Sequence, residues 1–261
     1  RGVHRPGLRS CNTDCGDPDP LILIRSVLFT LLMSLSVLPW SIVIVAGRFI
    51  GGYPTAYALV VNWVRGCLWL LQELCQLNFR VEGTEHIPAR NSVALLKHSS
   101  AYETLVQFLL FPRQCWVVKH ELMWAPFLGW AVWAIRPIAI DRGAGQKAIT
   151  QVLSMGRARL EEGHWVMIFP EGTRVPAGET RRYGLSGVLL ARESGRLLVP
   201  VAHNAGDYWP RRGWVKWPGT VTFRIGPPVD PSGREPRQVN EEIQAWVEAQ
   251  VADLRASKAP G

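Results

Sequence analysis

Residues 165–174 read Trp-Val-Met-Ile-Phe-Pro-Glu-Gly-Thr-Arg, a bulky apolar run that ends in a turn. The apolar run is typical of a parallel strand that is buried on both faces. Pro170 cannot donate to a strand ladder, so we expect the strand to end there, and Gly172 lets the backbone approach a ligand closely. Arg174 can bind a phosphate through two parallel hydrogen bonds. The stretch predicts a buried strand followed by an anion-binding turn, although an ordinary turn with a surface arginine has the same pattern.

Short apolar runs alternate with helical patterns on both sides of this strand. Such alternation predicts an α/β fold with a mostly parallel sheet flanked by helices. At 261 residues one domain is expected, over residues 78–257, and the chain has no internal repeat. The predicted strands are 79–82, 92–97, 115–119, 137–140, 165–169, 197–201 and 221–225, and the predicted helices are 100–110, 121–134, 145–162, 185–193 and 240–254.

A second polar cluster, Lys-His-Ser-Ser-Ala-Tyr-Glu at residues 97–103, follows the predicted strand 92–97. A hydroxyl becomes nucleophilic when a base takes its proton, and imidazole suits that task near pH 7. A carboxylate on the other ring nitrogen would orient the imidazole and stabilise its charged form. Because residues five apart point in different directions on a helix, His98 must precede the helix if Glu103 is to reach it. Ser100 and Glu103 also fit a capping box, which would make Glu103 purely structural.

These two clusters together resemble the conserved blocks of the glycerolipid acyltransferase family, in particular its 1-acylglycerol-3-phosphate acyltransferases. Residues 138–142 (Ile-Ala-Ile-Asp-Arg) and 198–202 (Leu-Val-Pro-Val-Ala) are similar to two further blocks of that family. The resemblance in order and spacing extends from about residue 79 to about residue 228. One position departs from it, since the family usually has an aspartate where this chain has Glu103. The longer side chain keeps the same charge.

The resemblance implies a glycerol-3-phosphate acyltransferase-like fold and a specific reaction. His98 would deprotonate the sn-2 hydroxyl of 1-acylglycerol 3-phosphate, and Glu103 would orient His98. The hydroxyl would attack the thioester of acyl-CoA or acyl-carrier protein and give phosphatidic acid, without a metal or other cofactor. Another lysolipid, such as a lyso-ornithine lipid, would suit the same blocks, and a lipid-surface hydrolase or a non-catalytic membrane-binding protein are further alternatives. The residues implied to hold the substrate phosphate are Arg142, Glu171, Gly172, Thr173 and Arg174.

The N-terminal third of the chain is predicted to be a membrane-embedded two-helix hairpin over residues 21–77. Residues 21–45 are almost continuously apolar and would form a helix about 37 Å long, enough to cross or enter a bilayer. Residues 51–54 (Gly-Gly-Tyr-Pro) break that helix. The next segment is amphipathic, as expected of a helix that lies in a membrane interface, while a buried helix pair is the soluble alternative. Its polar face holds Asn62, Arg65, Gln72 and Gln76.

Residues 1–20 are predicted to be a disordered tail. Cys11 and Cys15 lie there with His4, but they lack a second ligand pair at a spacing usual for a metal site. The five cysteines of the chain are scattered and odd in number, which indicates reduced thiols rather than a disulfide scaffold.

The formal net charge of +8 calls for an acidic partner, which could be nucleic acid, an anionic membrane or an acidic carrier protein. Residues 208–217 mix three tryptophans with three cations, a combination that suits either stacked bases or an anionic lipid interface. The apolar N-terminal segment favours lipid, so the expected partners are a phospholipid membrane, a lysophospholipid and acyl-carrier protein, without nucleic acid. The expected location is the bacterial inner membrane, with the active site on its cytoplasmic side. The predicted interface residues are Trp209, Arg211, Arg212, Trp214 and Lys216.

Overall fold

The computed structural model describes residues 19–141 and 143–257. Within them lie seven strands: β1 Leu77–Glu82, β2 Val93–Leu96, β3 Gln114–Lys119, β4 Ile138–Ile140, β5 Trp165–Ile168, β6 Leu198–His203 and β7 Gly219–Ile225. They form one sheet in the order β1-β7-β6-β2-β5-β3-β4, in which only β6 and β7 pair antiparallel. The predicted mostly parallel sheet is confirmed, and each predicted strand overlaps an observed one.

Helices cover both faces of this sheet. They are α1 Pro20–Cys75, α2 Tyr102–Leu110, α3 Leu128–Ala134, α4 Gln146–Glu161, α5 Ser186–Glu193 and α6 Pro236–Ala256. Side chains alternate across a strand, so Ala94 and Leu96 of β2 pack with α1, α2 and α3. Val93 and Leu95 pack with α4, α5 and α6 on the opposite face. Two apolar cores therefore lie on either side of one sheet.

One predicted helix is wrong in its extent. Residues 121–134 do not form a single helix, because Pro126 has no backbone N–H to donate and Phe127 adopts a positive φ of 62°. A 3₁₀ turn at His120–Trp124 precedes this break, and α3 begins after it.

The long helix α1 contains a break at Gly52, whose φ of 71° and ψ of −161° are rarely adopted by other residues. We call residues 20–51 its first arm and residues 53–75 its second arm. Trp63 Nε1 in the second arm donates to Ser36 Oγ in the first at 3.0 Å, and Cys75 lies against the carbonyl of Arg25. These pairings are nearly symmetric about Gly52, so the arms lie side by side and run in opposite directions.

The outer face of the first arm is apolar and exposed. Its most apolar 18-residue window has a mean hydropathy of 2.3 and is only 11% buried. A core helix of a soluble protein would be mostly buried, so this exposure favours lipid contact over a buried helix pair. Insertion of the arms into a bilayer stays a prediction. The exposed large apolar residues of this stretch are Leu21, Leu23, Ile24, Val27, Leu28, Leu31, Leu32, Leu35, Leu38, Ile42 and Val43.

Candidate active site

The two polar clusters meet at the carboxyl edge of the sheet. Strands β2 and β5 are adjacent and parallel, so the segments that follow them leave the sheet side by side. Val175 N–H donates to the carbonyl of His98 at 2.8 Å, and the N–H of His98 donates to Glu171 Oε1 at 3.2 Å. The segment after β5 thus holds both backbone polar groups of His98.

His98 and Glu103 form a buried pair. The imidazole Nδ1 lies 2.9 Å from Glu103 Oε1, and the ring of Phe169 stacks on the imidazole at a centroid distance of 4.0 Å. The same carboxylate oxygen accepts from the backbone N–H groups of Ser99 at 3.0 Å and Ser100 at 2.8 Å. Glu103 therefore fixes the turn that leads into α2 and orients His98 at once. Because Nδ1 donates to a carboxylate, Nε2 is left without a proton and can act as a base.

The charge of Glu103 suits this pairing. Burial favours the neutral acid, but the hydrogen bonds from the His98 ring and from Ser100 N–H outweigh it, so the pKa of Glu103 lies below its ordinary value. The carboxylate stays ionised near neutral pH. It can therefore stabilise the imidazolium that forms when His98 takes up a proton.

His98 faces a polar cavity of about 380 Å³, which we call the cationic cavity. Thr173, Arg174, Arg211 and Arg212 complete its lining. None of the three arginines is ion-paired with any residue in 19–141 or 143–257. Three unpaired guanidiniums beside an imidazole form a site for a multiply charged anion.

A second cavity, of about 340 Å³, lies between α1 and the pair α2 and α3. We call it the apolar cavity, since its walls are almost entirely hydrocarbon. Arg174 lines both cavities, so the apolar cavity and the cationic cavity border the same side chain. The site can thus accommodate an anionic group and a long apolar chain of one molecule. Among the apolar lining residues are Met33, Ile44, Leu105, Phe108, Ala131 and Val132.

The prediction that residues 208–217 form a membrane interface is wrong for Trp209 and Lys216. Trp209 is buried, with its ring edge-on to Phe29 at 5.7 Å. Lys216 is also buried, and its ammonium donates to Thr30 Oγ1 at 2.5 Å and to the carbonyl of Trp214 at 2.9 Å. Both side chains attach this loop to the first arm of α1. Trp214 is exposed, so its predicted lipid contact stays a prediction, whereas Arg211 and Arg212 line the cationic cavity.

The predicted phosphate-binding turn, residues 171–173, stays a prediction. The side chain of Glu171 is fully buried and lies 3.6 Å from Lys97 Nζ, so only its backbone could serve a phosphate. The amide of Gly172 donates to the carbonyl of Phe169 at 3.0 Å, and the φ of 70° at Gly172 explains why a glycine stands in this turn. Arg142 lies outside the described residues.

Several buried polar residues around His98 were missed by sequence reasoning. Lys97 Nζ lies 2.6 Å from Glu248 Oε1 on α6, which in turn accepts from the hydroxyl of Tyr183 at 3.3 Å. His203 Nδ1 accepts from an amide at 3.2 Å, so its Nε2–H donates to the carbonyl of Lys97 at 2.7 Å. A lysine that ends an apolar strand indicates a buried partner, but nothing in the sequence identifies that partner as Glu248.

The Glu171 carboxyl gives a testable dependence of stability on pH. Burial raises the pKa of Glu171 from 4.5 to about 7, against the opposing effects of Lys97 and the backbone. The folded protein therefore holds this proton more tightly than the unfolded chain. The resulting stability is fully present below pH 4.5 and is lost as pH rises through 7.

We expect Glu171→Gln to remove this contribution. Between about pH 4.5 and pH 7 the wild type should lose stability relative to the variant, as measured by thermal unfolding in detergent. Glu193→Gln, at an exposed position, is the matched control. Parallel curves for the wild type and Glu171→Gln would contradict the prediction.

Across the described ranges the structure brings together no group of three or more His, Cys, Asp or Glu that could hold a metal ion. Cys67, Cys75 and Cys115 are buried free thiols, in agreement with the expected reduced state, while Cys11 and Cys15 lie outside the described residues.

An oriented imidazole base beside an anion cavity and a hydrocarbon cavity indicates a class of enzyme that transfers acyl chains to phosphorylated alcohols. A family model described as "Acyltransferase" matches residues 78–204. The chain is 40% identical over 235 residues to the 1-acyl-sn-glycerol-3-phosphate acyltransferase of Pseudomonas aeruginosa, covering 88% of this chain and 91% of that protein. The chain therefore belongs to the 1-acyl-sn-glycerol-3-phosphate acyltransferase family.

Two further similarities reach most of the chain. The 1-acyl-sn-glycerol-3-phosphate acyltransferase of Limnanthes douglasii is 26% identical over 247 residues, covering 92% of this chain and 81% of the plant protein. The crystal structure of the 1-acyl-sn-glycerophosphate (LPA) acyltransferase PlsC from Thermotoga maritima matches with a TM-score of 0.74 at 20% identity. The structural match covers 90% of this chain and 96% of the Thermotoga maritima chain. At this identity the structural match shows a shared fold.

Proposed function

We propose that this protein transfers an acyl chain from a thioester to the sn-2 hydroxyl of 1-acyl-sn-glycerol 3-phosphate and so forms phosphatidic acid. The observation that carries the proposal is the His98–Glu103 pair, 2.9 Å apart, at a cationic cavity that shares the wall residue Arg174 with an apolar cavity. A lysophosphatidate has the matching parts in the same order: a phosphate, a free hydroxyl and an acyl chain. The names of the relatives from Pseudomonas aeruginosa and Limnanthes douglasii support the same reaction.

In this mechanism His98 is the general base. Its Nε2 takes the proton of the sn-2 hydroxyl, and the hydroxyl oxygen attacks the thioester carbonyl carbon. The tetrahedral intermediate collapses, the carbon–sulfur bond breaks, and the imidazolium returns its proton to the thiolate that leaves. The negative Glu103 keeps the ring oriented throughout and stabilises its charged form. No covalent enzyme intermediate is needed, and the chemistry itself calls for no metal.

The substrate phosphate is held by the cationic cavity. Arg174, Arg211 and Arg212 supply the guanidiniums, and Thr173 supplies a hydroxyl. Arg142 remains a further candidate on the strength of the family resemblance. Charge-assisted hydrogen bonds of this kind are among the strongest in proteins and favour phosphate over neutral head groups.

The apolar cavity holds an acyl chain. Its boundary with the cationic cavity lies at Arg174, beside the base, which is where the polar and apolar parts of a lysolipid join. The thioester donor is an acyl-CoA or an acyl-carrier protein, and the enzyme works at the cytoplasmic side of a bacterial inner membrane. The apolar, exposed first arm of α1 supports the membrane association in this proposal.

The direct test incubates the full chain, purified and reconstituted into lipid vesicles, with a panel of lysolipids and a labelled acyl thioester. We expect labelled phosphatidic acid from 1-acyl-sn-glycerol 3-phosphate, with much less product from lyso-ornithine lipid or monoacylglycerol. Parallel reactions with acyl-CoA and acyl-carrier protein identify the donor. Thioester loss that is equally fast without any lysolipid would indicate a hydrolase and overturn the proposal.

Membrane attachment has its own expected outcome. Apolar burial is insensitive to ionic screening, whereas attachment through lysines and arginines weakens as salt rises. We therefore expect the protein to stay with vesicles in high salt and to be released by detergent, as measured by sedimentation. Release by salt alone would show a peripheral protein.

A further inference from the structure

A cluster of exposed aromatic residues lies on the catalytic domain, outside the site described above. Trp130 and Trp133 of α3 are each half exposed, and Trp124 of the preceding 3₁₀ turn is 77% exposed. Phe49 and Ile50, at the end of the first arm of α1, are even more open than Trp130. We call these five residues the aromatic face.

The aromatic face is continuous between the two parts of the protein. The rings of Phe49 and Trp133 lie 6.3 Å apart, so the tip of the first arm touches the outer side of α3. Phe49 also extends the exposed apolar positions of the first arm, seven residues beyond Ile42. A single apolar surface therefore runs along α1 and onto the α/β domain.

Helix α3 is apolar on all sides, with the sequence Leu-Gly-Trp-Ala-Val-Trp-Ala. Its inner side, with Leu128, Ala131 and Val132, lines the apolar cavity. Its outer side carries Trp130 and Trp133 and faces away from the sheet. A helix that is hydrophobic all round is buried either in a protein core or in a membrane. Residues 19–141 and 143–257 cover this outer side only in part, since Trp130 and Trp133 stay half exposed beside Phe49.

From this placement we propose that the aromatic face contacts the acyl-chain and head-group boundary of a lipid bilayer, with α3 separating lipid from the apolar cavity. Tryptophan is enriched at membrane interfaces, because its ring is apolar and its N–H can still be hydrated. Among residues 19–141 and 143–257, His120 is the only ionisable residue that lines the surface groove containing the three tryptophans. A charged protein partner would find little to pair with there, whereas lipid requires no charged partner.

The consequence for the reaction is a lateral route. A lysolipid could move its acyl chain from the bilayer past α3 into the apolar cavity without crossing water. This inference rests on the proposed function only in taking a bilayer lysolipid as the substrate. The contact itself is measurable without any turnover, so the two proposals fail separately.

The first test places a fluorescent bimane label on the face in full-length protein reconstituted into vesicles. Cys11 and Cys15 are replaced by serine, and Trp130→Cys supplies the labelling site. Lipids with brominated acyl chains should quench this label strongly. They should leave a label at Glu241→Cys, on the opposite face of the sheet, unquenched. Equal quenching at the two positions, or protection of position 130 by a second copy of the chain, would overturn the proposal.

The second test is kinetic. The triple variant Trp124→Gln, Trp130→Gln, Trp133→Gln should lose about tenfold or more in turnover of vesicle-resident lysophosphatidate, because it loses the apolar contact of three large rings. It should retain wild-type turnover of a monomeric short-chain lysophosphatidate. Glu241→Gln, at an exposed position on the opposite face of the sheet, is the control and should behave as wild type on both substrates. Equal loss of the triple variant on both substrates, or an equal loss in Glu241→Gln, would contradict the proposal.

Discussion

Replacing His98 with alanine is expected to lower kcat by about 10²–10⁴-fold, which is the range that general-base catalysis contributes. Among the described residues that line the cationic cavity, His98 is the one whose side chain can take up a proton near neutral pH. The backbone contacts of His98 with Glu171 and Val175 do not use the ring, so the fold should persist. Turnover with labelled thioester measures the effect. Vesicle association and the thermal unfolding temperature serve as checks on the fold.

Glu103→Gln separates the two functions of Glu103. The N–H groups of Ser99 and Ser100 both point at Oε1, so a glutamine should place its carbonyl oxygen there. That oxygen still accepts from these two N–H groups and from the imidazole, while the negative charge is lost and an NH2 group takes the place of the buried Oε2. We expect an intermediate fall in kcat with little change in stability. A wild-type kcat in this variant would show that Glu103 is purely structural, and a wild-type kcat in His98→Ala would remove His98 from the mechanism.

The arginines of the cationic cavity should show the second large effect. Hydrogen bonds to charged groups contribute about 1.5–3 kcal/mol each, so Arg174→Ala and Arg211→Ala should each raise KM for lysophosphatidate about tenfold to a hundredfold. Arg212 has a φ of 95°, where glycine is relaxed, so Arg212→Gly removes the guanidinium without adding backbone strain. KM for the acyl thioester should change little.

Two comparisons make this prediction specific. Arg237→Ala, at an exposed position on the opposite face of the sheet, is the matched control and should behave as wild type. Monoacylglycerol, which lacks the phosphate, should be used equally poorly by the wild type and the cavity variants. The cavity variants could instead be impaired to the same extent with lysophosphatidate, with monoacylglycerol and in KM for the acyl thioester. That result would show structural damage, and the arginines would not form a phosphate site.

The sheet could be predicted because its strands are apolar over their whole length. Runs such as residues 165–169 are buried on both faces, and the turns after them contain glycine and proline, so their ends are well marked. The pair of His98 and Glu103 could also be predicted, since five residues are few enough for local geometry to decide whether they meet. The helix 121–134 was predicted as continuous because its apolar pattern outweighed the single proline at position 126.

The position of the loop 208–217 could not be predicted, because its contacts are with residues far away in the sequence. Alternation of tryptophans and cations over residues 208–217 is compatible with a membrane interface, and composition does not show which side chains turn inward. Lys216 is buried by Ser26 and Thr30, almost two hundred residues earlier in the chain. Arg211 and Arg212 reach His98 only because this remote attachment fixes the loop. The role of Glu248 beside Lys97 escapes sequence reasoning for the same reason.

The loop 208–217 is held at both ends, and this ties head-group recognition to the state of the N-terminal helix. Ser100 Oγ, two residues after the base, donates to the carbonyl of Trp209 at 2.6 Å. Lys216 fixes the other end to the first arm of α1. A tilt or withdrawal of that arm would displace the arginines while the His98–Glu103 pair stayed intact. An enzyme extracted from lipid would then keep its proton chemistry and lose its preference for phosphate, so its selectivity would report whether it is seated in a membrane.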